Sequence, residues 1–322
     1  MARSKYLPDS FTLALLGAVV AATLLPSRGG VAATLDLLTT MAIGLVFFLH
    51  GARLSRQAIL AGATHWRLHL VVLLSTFVMF PLLGIALHPL LAPLVTPAIY
   101  TGVLLLCTLP STVQSSIALT SLARGNVPAA VCSASASSLI GILLTPTLIG
   151  LLIASQGTPD ASPWHTIWII VRQLLLPFVA RQLLRPLLLR PLGKHPRTVK
   201  FVDQVSILLV VYTAFSAAVT QGLWHEVPGT ALAGLVIVDV VLLVLALSLT
   251  GLVARHLGFN EADRITIVFC GSKKSLAAGI PMANVIFPGH AVGTVLLPLM
   301  LFHQIQLMTC AVLARRWGAR QD

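Results

Sequence analysis

Charged residues are scarce in this sequence. Asp, Glu, Lys and Arg together make up 9% of its 322 residues, whereas a soluble globular domain carries roughly 25%. Hydrophobic residues make up 57%, and the mean hydropathy is +0.94. This composition excludes a soluble domain as the main part of the chain. At roughly 20 apolar residues per membrane-spanning helix, the length predicts about ten spans with short connections.

Acidic residues and cysteines are also few. The sequence has 9 Asp and Glu residues against 21 Lys and Arg residues, so its net charge is +12. The basic residues form short clusters between apolar runs, as in the cytoplasmic loops of membrane proteins, which argues against nucleic-acid binding. Four cysteines lie inside apolar runs without a CxxC spacing, which predicts small buried side chains and neither a metal site nor a disulfide: Cys107, Cys132, Cys270 and Cys310.

The apolar runs predict an all-α polytopic membrane protein. Connections rich in Pro, Gly, Asn and Asp separate the runs. The ten predicted transmembrane helices cover residues 10–26, 31–50, 66–87, 98–122, 127–154, 164–188, 199–221, 229–254, 264–287 and 291–314.

The distribution of basic residues predicts the topology. With the N-terminus inside, 17 of the 21 Lys and Arg residues fall on the cytoplasmic side and only Arg28 on the other. The remaining three, Arg172, Lys273 and Lys274, lie within spans. Because cytoplasmic loops carry an excess of Lys and Arg, this bias predicts a multi-pass inner-membrane protein with both termini in the cytoplasm.

Ten spans divide into two halves of five, residues 1–155 and 160–316. An odd number of helices per half gives the halves opposite orientations, which is the inverted-repeat plan of many transporters. Spans four and nine occupy matching positions in the two halves, and both are interrupted by polar and helix-breaking residues. Matching broken helices are the best sequence indicator of a substrate site.

Two adjacent lysines stand in the middle of span nine. A charged side chain at the bilayer centre costs about 2.5–3.5 kcal/mol on insertion scales, so Lys273 and Lys274 predict a functional site. We expect at least one of them to line a water-filled cavity as a partner for an ion or substrate. The alternative is a re-entrant break from which both lysines reach water. Gly271 predicts unwound backbone here, with free carbonyls for the ammonium hydrogens, and Ser272 and Ser275 flank the pair.

Span four offers uncharged oxygens next to Pro110, which removes a backbone hydrogen bond. Freed carbonyls and hydroxyls together would suit a hard cation or a carboxylate. The candidate residues are Ser111, Thr112, Gln114, Ser115 and Ser116. Span five adds Ser133 and Ser135, for which close packing through small residues is an equal alternative.

Four further polar residues lie within predicted spans. Asp36 and Asp239 both need a partner, and Arg172 is a candidate for either. We favour a structural Arg–Asp pair over a proton relay. His303 in span ten is a candidate for facing the cavity, with a helix–helix hydrogen bond as the alternative.

The stretch Leu109-Pro110-Ser111-Thr112-Val113-Gln114-Ser115-Ser116, followed by Ala123-Arg124-Gly125-Asn126-Val127 and Leu144-Thr145-Pro146, resembles the bile acid:sodium symporter family. Within that family, Phe269-Cys270-Gly271-Ser272-Lys273-Lys274-Ser275 resembles the branch of sodium/bile acid cotransporter 7 and its bacterial relatives. The resemblance implies a panel of spans one, two, six and seven beside a core of spans three to five and eight to ten. It also implies that spans four and nine cross at their breaks, with two sodium ions nearby.

The resemblance also implies sodium ligands. They map to Ser115 and Ser116, with Gln114 adjacent, and to Thr76 in span three. The span-five hydroxyl ligands of the family map to Ala130 and Ala134, beside Ser133 and Ser135.

Span nine departs from the family pattern. The sodium-binding glutamate falls on Phe269, and the Gln-Asn pair that follows it falls on Lys273 and Lys274. An ammonium would repel sodium by about 4 kcal/mol at about 4 Å in an effective dielectric constant of about 20. Our hypothesis is that a lysine ammonium replaces one sodium as a built-in cation, which leaves coupling to a proton, to one sodium or to no ion.

The sequence therefore predicts a secondary transporter that moves an organic anion by alternating access, and not an enzyme. A membrane regulatory or scaffold protein with the same fold is the alternative. An intramembrane hydrolase with Ser272 or Ser275 as nucleophile and a lysine as base is disfavoured, because no Gly-x-Ser-x-Gly or paired-acid motif is present.

Overall fold

The structure is a computed structural model that describes residues 10–50, 65–154, 196–220, 222–223, 227–287 and 292–320. Every regular element within these ranges is a helix. The predicted span 164–188, with Arg172, lies outside the described residues. The helices are α1 Ser10–Leu24, α2 Gly29–His50, α3 Trp66–Ala86, α4 Pro97–Thr108, α5 Gln114–Leu122, α6 Val127–Ala154, α7 Pro196–Thr220, α8 Gly229–His256, α9 Glu261–Gly271, α10 Leu276–Ile286 and α11 Val292–Gly318.

Four of the described helices are long and apolar enough to cross a bilayer: α3, α6, α8 and α11. Helix α8 has the highest mean hydropathy of the four, 2.8 over its best window. The chain is therefore a multi-pass membrane protein, and the part of it that the structure describes is built from helices. Predicted span four corresponds to the consecutive helices α4 and α5, and predicted span nine corresponds to α9 and α10.

Helix α3 contains a local irregularity. Its middle turn, Ser75–Met79, is π-helical, and the α-helical segment Phe80–Ala86 follows it. Phe80 donates its backbone N–H to the carbonyl of Ser75, five residues earlier. The next N–H in this register would come from Pro81, which has none. The turn therefore leaves the carbonyl of Thr76 without a donor from its own helix.

The contacts group the chain into two compact units. One contains α1, α2 and α7, and the other contains α3 to α6, α8, α9 and nearly all of α11. In the first unit, Thr39 and Thr213 are hydrogen-bonded through their hydroxyls at 2.9 Å. Tyr212 donates its hydroxyl hydrogen to the carbonyl of Leu25.

In the second unit, α9 packs against α3, α5, α6 and α8. Hydrogen bonds to Asp263 connect the start of α9 with the start of α6. Asn126 and Asn260 donate their side-chain amides to the two carboxylate oxygens of Asp263, at 2.7 and 3.0 Å. Each asparagine also caps a helix, because its side-chain oxygen accepts a backbone N–H three residues later, from Ala129 and Asp263 respectively. This network fixes one end of α9.

Helix α8 lies very close to the 3-10 turn Ala92–Leu94. A Cβ atom built at Gly234 would overlap the carbonyl oxygen of Leu94. By contrast, a Cβ atom at Gly150 on α6 would meet nothing within 4 Å. The close approach at Gly234 therefore requires glycine.

We expect Gly234→Ala to lower the free energy of unfolding by about 1–3 kcal/mol, because the added methyl group overpacks the contact with Leu94. Gly150→Ala is the matched control and should be neutral or stabilising, since alanine favours a helix over glycine by about 1 kcal/mol. Thermal unfolding of the purified protein in detergent measures both effects. Equal melting temperatures for the two variants would contradict the close approach.

Candidate functional site

The two helix breaks contact each other directly. Residues 109–113 separate α4 from α5, and residues 272–275 separate α9 from α10. Ser275 donates its backbone N–H to the carbonyl of Pro110 at 2.9 Å. In the other direction, Ser111 and Ser116 donate their hydroxyls to the carbonyls at the end of α9, those of Cys270 and Phe269, at 2.6 and 3.0 Å. Each break therefore satisfies backbone groups that the other exposes.

Lys274 lies at the centre of this contact, and its side chain is 0% exposed. Its ammonium donates to three backbone carbonyls, those of Thr76, Cys107 and Leu109, each at 2.8 Å. An ammonium group has three N–H donors, so each donor has one acceptor. No carboxylate takes part in these bonds. The charge is stabilised by peptide dipoles, including those at the C-terminal end of α4.

Irregular backbone explains why these carbonyls are free. Pro81 lies five residues after Thr76 and supplies no N–H to the π-helical turn. The α-helical donor for the carbonyl of Cys107 would be the N–H of Ser111, four residues later, but that N–H bonds to the hydroxyl of Ser137 at 3.0 Å. Leu109 follows the last residue of α4 and has extended backbone. The ammonium thus binds carbonyls that regular helical hydrogen bonding leaves open.

Gln306 holds the backbone of Lys274. Its side-chain oxygen accepts the backbone N–H of Lys274, and its side-chain nitrogen donates to the Lys274 carbonyl, both at 2.9 Å. His303, half-buried one turn earlier on α11, is 2.9 Å from the same nitrogen through Nδ1. The ring centroid of Phe80 lies 4.1 Å from the Lys274 ammonium, a cation–π distance.

Lys273 has different surroundings, although its side chain is equally buried. Within the part of the chain that the structure describes, its ammonium has one hydrogen bond, to the hydroxyl of Ser115 at 3.3 Å. It also lies 5.9 Å from the ring centroid of Phe269. Buried thiol groups, those of Cys270 and Cys310, lie in its neighbourhood.

Hydroxyl groups extend from Lys273 into the contact between the breaks. Ser115 donates to the hydroxyl of Thr112 at 2.8 Å, and Thr112 and Ser116 are hydrogen-bonded at 2.9 Å. Ser116 in turn donates to the carbonyl of Phe269. Ser115, which contacts the Lys273 ammonium, is half-buried, and from it the chain of hydroxyls runs inward to buried Thr112 and Ser116.

The lysines correct two expectations. Neither ammonium is exposed in this conformation, so the structure shows neither the expected water-filled cavity beside a lysine nor the alternative of two lysines extending to water. The carbonyls that bind Lys274 belong to α3, to the last turn of α4 and to the break that follows it, and not to the unwound backbone expected at Gly271. Gly271 instead ends α9 at a close contact, where a Cβ atom would lie 3.1 Å from that of Ser75.

Several other predicted site residues lie apart from the lysines or bond elsewhere. The side chain of Gln114 is exposed at the start of α5. Ser133 pairs with Nδ1 of His69 at 2.6 Å, and Ser135 is buried on the same helix. Ala130 and Ala134, the positions that match family sodium ligands, lie in an apolar cluster and offer no side-chain oxygen.

The serines beside the lysines bond to backbone groups. Ser272 donates its hydroxyl to the carbonyl of Val268, within its own helix, at 2.6 Å. The hydroxyl of Ser275 accepts the backbone N–H of Ala278 at 3.2 Å and so caps α10. These bonds are structural, and they give no support to either serine as a nucleophile activated by lysine.

Residues 9–319 match the model of a known protein family, the SBF-like CPA transporter family. The chain belongs to this family. The resemblance to sodium/bile acid symporters is thereby confirmed, and the chain is a membrane transporter by family.

Three relatives illustrate the range of similarity. "Uncharacterized protein PA2026" of Pseudomonas aeruginosa is 61% identical over 100% of this chain and 96% of its own length. "Putative symporter YfeH" of Escherichia coli is 54% identical over 98% of this chain and 94% of its own. "Sodium/bile acid cotransporter 7" of Xenopus tropicalis is 26% identical over 94% of this chain and 90% of its own.

In this transporter, the double hydrogen bond from Gln306 can be tested by mutation. We expect Gln306→Leu to lower the free energy of unfolding by about 2–4 kcal/mol, because it leaves a buried backbone N–H and a buried carbonyl of Lys274 unpaired. Gln304→Leu, two residues earlier on α11, is the matched control and should cost much less. Thermal unfolding in detergent measures both. Similar losses in the two variants would show that Gln306 does not hold the break.

Proposed function

We propose that this protein is a secondary transporter that moves an organic anion across the inner membrane by alternating access. Ten spans form two inverted repeats, with both termini in the cytoplasm, as the distribution of basic residues supports. Spans one, two, six and seven form a panel, and spans three to five and eight to ten form a core. The grouping of α1, α2 and α7 in one unit supports this division.

The observation that carries the proposal is the contact between the two breaks around Lys274. Broken helices in the bilayer are tolerated where their free backbone groups find partners, and transporters use such helices to build substrate and ion sites. Three carbonyls at 2.8 Å form a cation-binding cage. The ammonium of Lys274 occupies it as a permanent, covalently attached cation, in the role that a coupling sodium would otherwise fill.

Lys273 is the proposed partner of the substrate. Only one of its three N–H donors has an acceptor among the described residues, whereas all three donors of Lys274 are used. The nearby Ser115 lies in the first turn of α5, where unpaired backbone N–H groups and the helix dipole favour an anion. A carboxylate or sulfonate could therefore take bonds from the Lys273 ammonium and the Ser115 hydroxyl together.

Transport is cation-coupled, with sodium or a proton as the coupling ion. The family-type sodium ligands are incomplete here. Phe269 stands where the family has a glutamate, and Ala130 and Ala134 replace hydroxyl residues. A sodium ion near Ser115 and Ser116 would have these hydroxyls and that of Thr112, but no carboxylate of the family type, with the side chain of Gln114 exposed.

A thermal-shift screen of the purified protein tests the anion site. We expect taurocholate or succinate to raise the melting temperature of the wild type, with inorganic phosphate as the comparison, because a ligand that binds only the folded state stabilises it. Lys273→Gln should abolish the shift, since the anion loses its charged partner. The screen is run with and without sodium and at several pH values, so that a cation dependence is visible.

Arg255→Gln is the control for the loss of one positive charge, because Arg255 is exposed on α8. It should retain the full shift. A flat response of the wild type to every anion would favour a non-transporting scaffold. A shift that survives in Lys273→Gln would exclude Lys273 as the substrate partner.

Lys274→Met should lower the stability of the protein itself, whereas Lys273→Gln should abolish only the shift that the anion produces. Three buried carbonyls lose their donor, and each unpaired buried polar group costs about 1–3 kcal/mol. We therefore expect a large drop in melting temperature without any anion present, exceeding that of Lys273→Met in the same measurement. Equal melting temperatures for Lys274→Met and Lys273→Met would contradict the fixed-cation role of Lys274.

A further inference from the structure

Asp239 is a buried carboxylate that the site described so far does not use. It is the eleventh residue of the 28-residue helix α8, and its side chain is 0% exposed. Among the described residues, neither of its carboxylate oxygens has a hydrogen-bond partner. Arg172, the partner considered from the sequence, lies outside the described residues.

The helix face that carries Asp239 is apolar. Leu235, Leu242 and Leu243 lie three or four residues away on α8, which places them on the same face. Each of them is at most 1% exposed. The carboxyl group therefore projects into a tightly packed apolar region and not toward the surface.

Few ionisable groups of the described part of the chain face Asp239. The elements that pack against α8 include the π-helical turn Ser75–Met79 and the 3-10 turn Ala92–Leu94, and neither carries an ionisable side chain. The side chain of Cys107 on α4 lies near both Asp239 and Lys274. Gly271, the last residue of α9, contacts Thr250 of α8, and Thr250 lies eleven residues after Asp239, about 16 Å farther along that helix. The ionisable residues of α9 all precede Gly271, so they are at least as far from Asp239 along α8 as Thr250 is.

The charge state follows from these surroundings. Transfer of an ionised carboxylate into a dry interior costs several kcal/mol unless a cation or several donors compensate for the lost water. Protonation removes the charge and most of this cost. The described conformation therefore suits the neutral carboxylic acid.

We propose that Asp239 is the proton-binding site of the transport cycle. In the conformation described here the carboxylate has taken up one proton and is neutral. A second conformation would admit water to α8, and the acid would release that proton and become ionised. The inference rests on the proposed transport function and deepens it, since it names the coupling ion as a proton.

Infrared spectroscopy tests the protonation without any substrate. The C=O stretching band of a protonated carboxylic acid is separate from the bands of carboxylates. We expect the full-length protein in liposomes to show this band at neutral pH, Asp239→Asn to lose it, and Asp239→Glu to shift it. Asp36→Asn is the matched control, because Asp36 lies in a predicted span but is exposed on α2. A band unchanged in Asp239→Asn would overturn the proposal.

A flux measurement tests the coupling. Proteoliposomes in sodium-free buffer enclose a pH-sensitive dye, and an inward gradient of taurocholate or succinate is applied. We expect uptake to acidify the lumen in the wild type. Asp239→Asn should lose the acidification while it retains the thermal shift produced by the same anion.

The flux measurement also separates the two proposals. Anion uptake without acidification would overturn proton coupling and leave the transport function intact. Equal acidification in the wild type and Asp239→Asn would likewise exclude Asp239. If neither anion is taken up, the proposed function fails for these substrates, whereas the infrared band still decides whether Asp239 binds a proton.

Discussion

The two broken helices depend on each other for their hydrogen bonds. A helix that is interrupted inside a bilayer exposes carbonyl and N–H groups that neither water nor lipid can satisfy at that depth. Here Ser111 of the first break and Ser116 of the helix after it donate to the carbonyls that end α9. Ser275 of the second break donates its backbone N–H to the carbonyl of Pro110. Lys274 then binds three carbonyls that remain. Neither break would be stable without the other.

Under the proposed function, a cation that belongs to the chain takes the place of one that a transporter of this family would otherwise bind from solution. The adjacent Lys273 has no such cage among the described residues, where its one hydrogen bond goes to Ser115. Two neighbouring residues of one type therefore have different hydrogen-bond partners, because successive residues at a helix break point toward different surroundings.

Part of this site could be predicted from the sequence. Pro110, Gly271 and the paired lysines mark both breaks, and their matching positions predict that the breaks meet. The carbonyl of Thr76 could not be predicted as an acceptor, because it depends on a π-helical turn, although Pro81 five residues later is a usable signal. Gln306 was not among the predicted site residues, and Gln114, which was, has an exposed side chain, because periodicity does not determine which side of a helix the neighbouring helices cover.

The central claim is that the Lys274 ammonium is bound by backbone carbonyls at the junction of the breaks. Solid-state NMR on protein with ¹⁵N in the lysine ammonium groups and ¹³C in the cysteine carbonyls measures this contact directly. We expect a strong dipolar coupling between a lysine nitrogen and the Cys107 carbonyl carbon, lost in Lys274→Met and retained in Lys273→Met. A coupling that is absent from the wild type, or that disappears only with Lys273, would contradict the account.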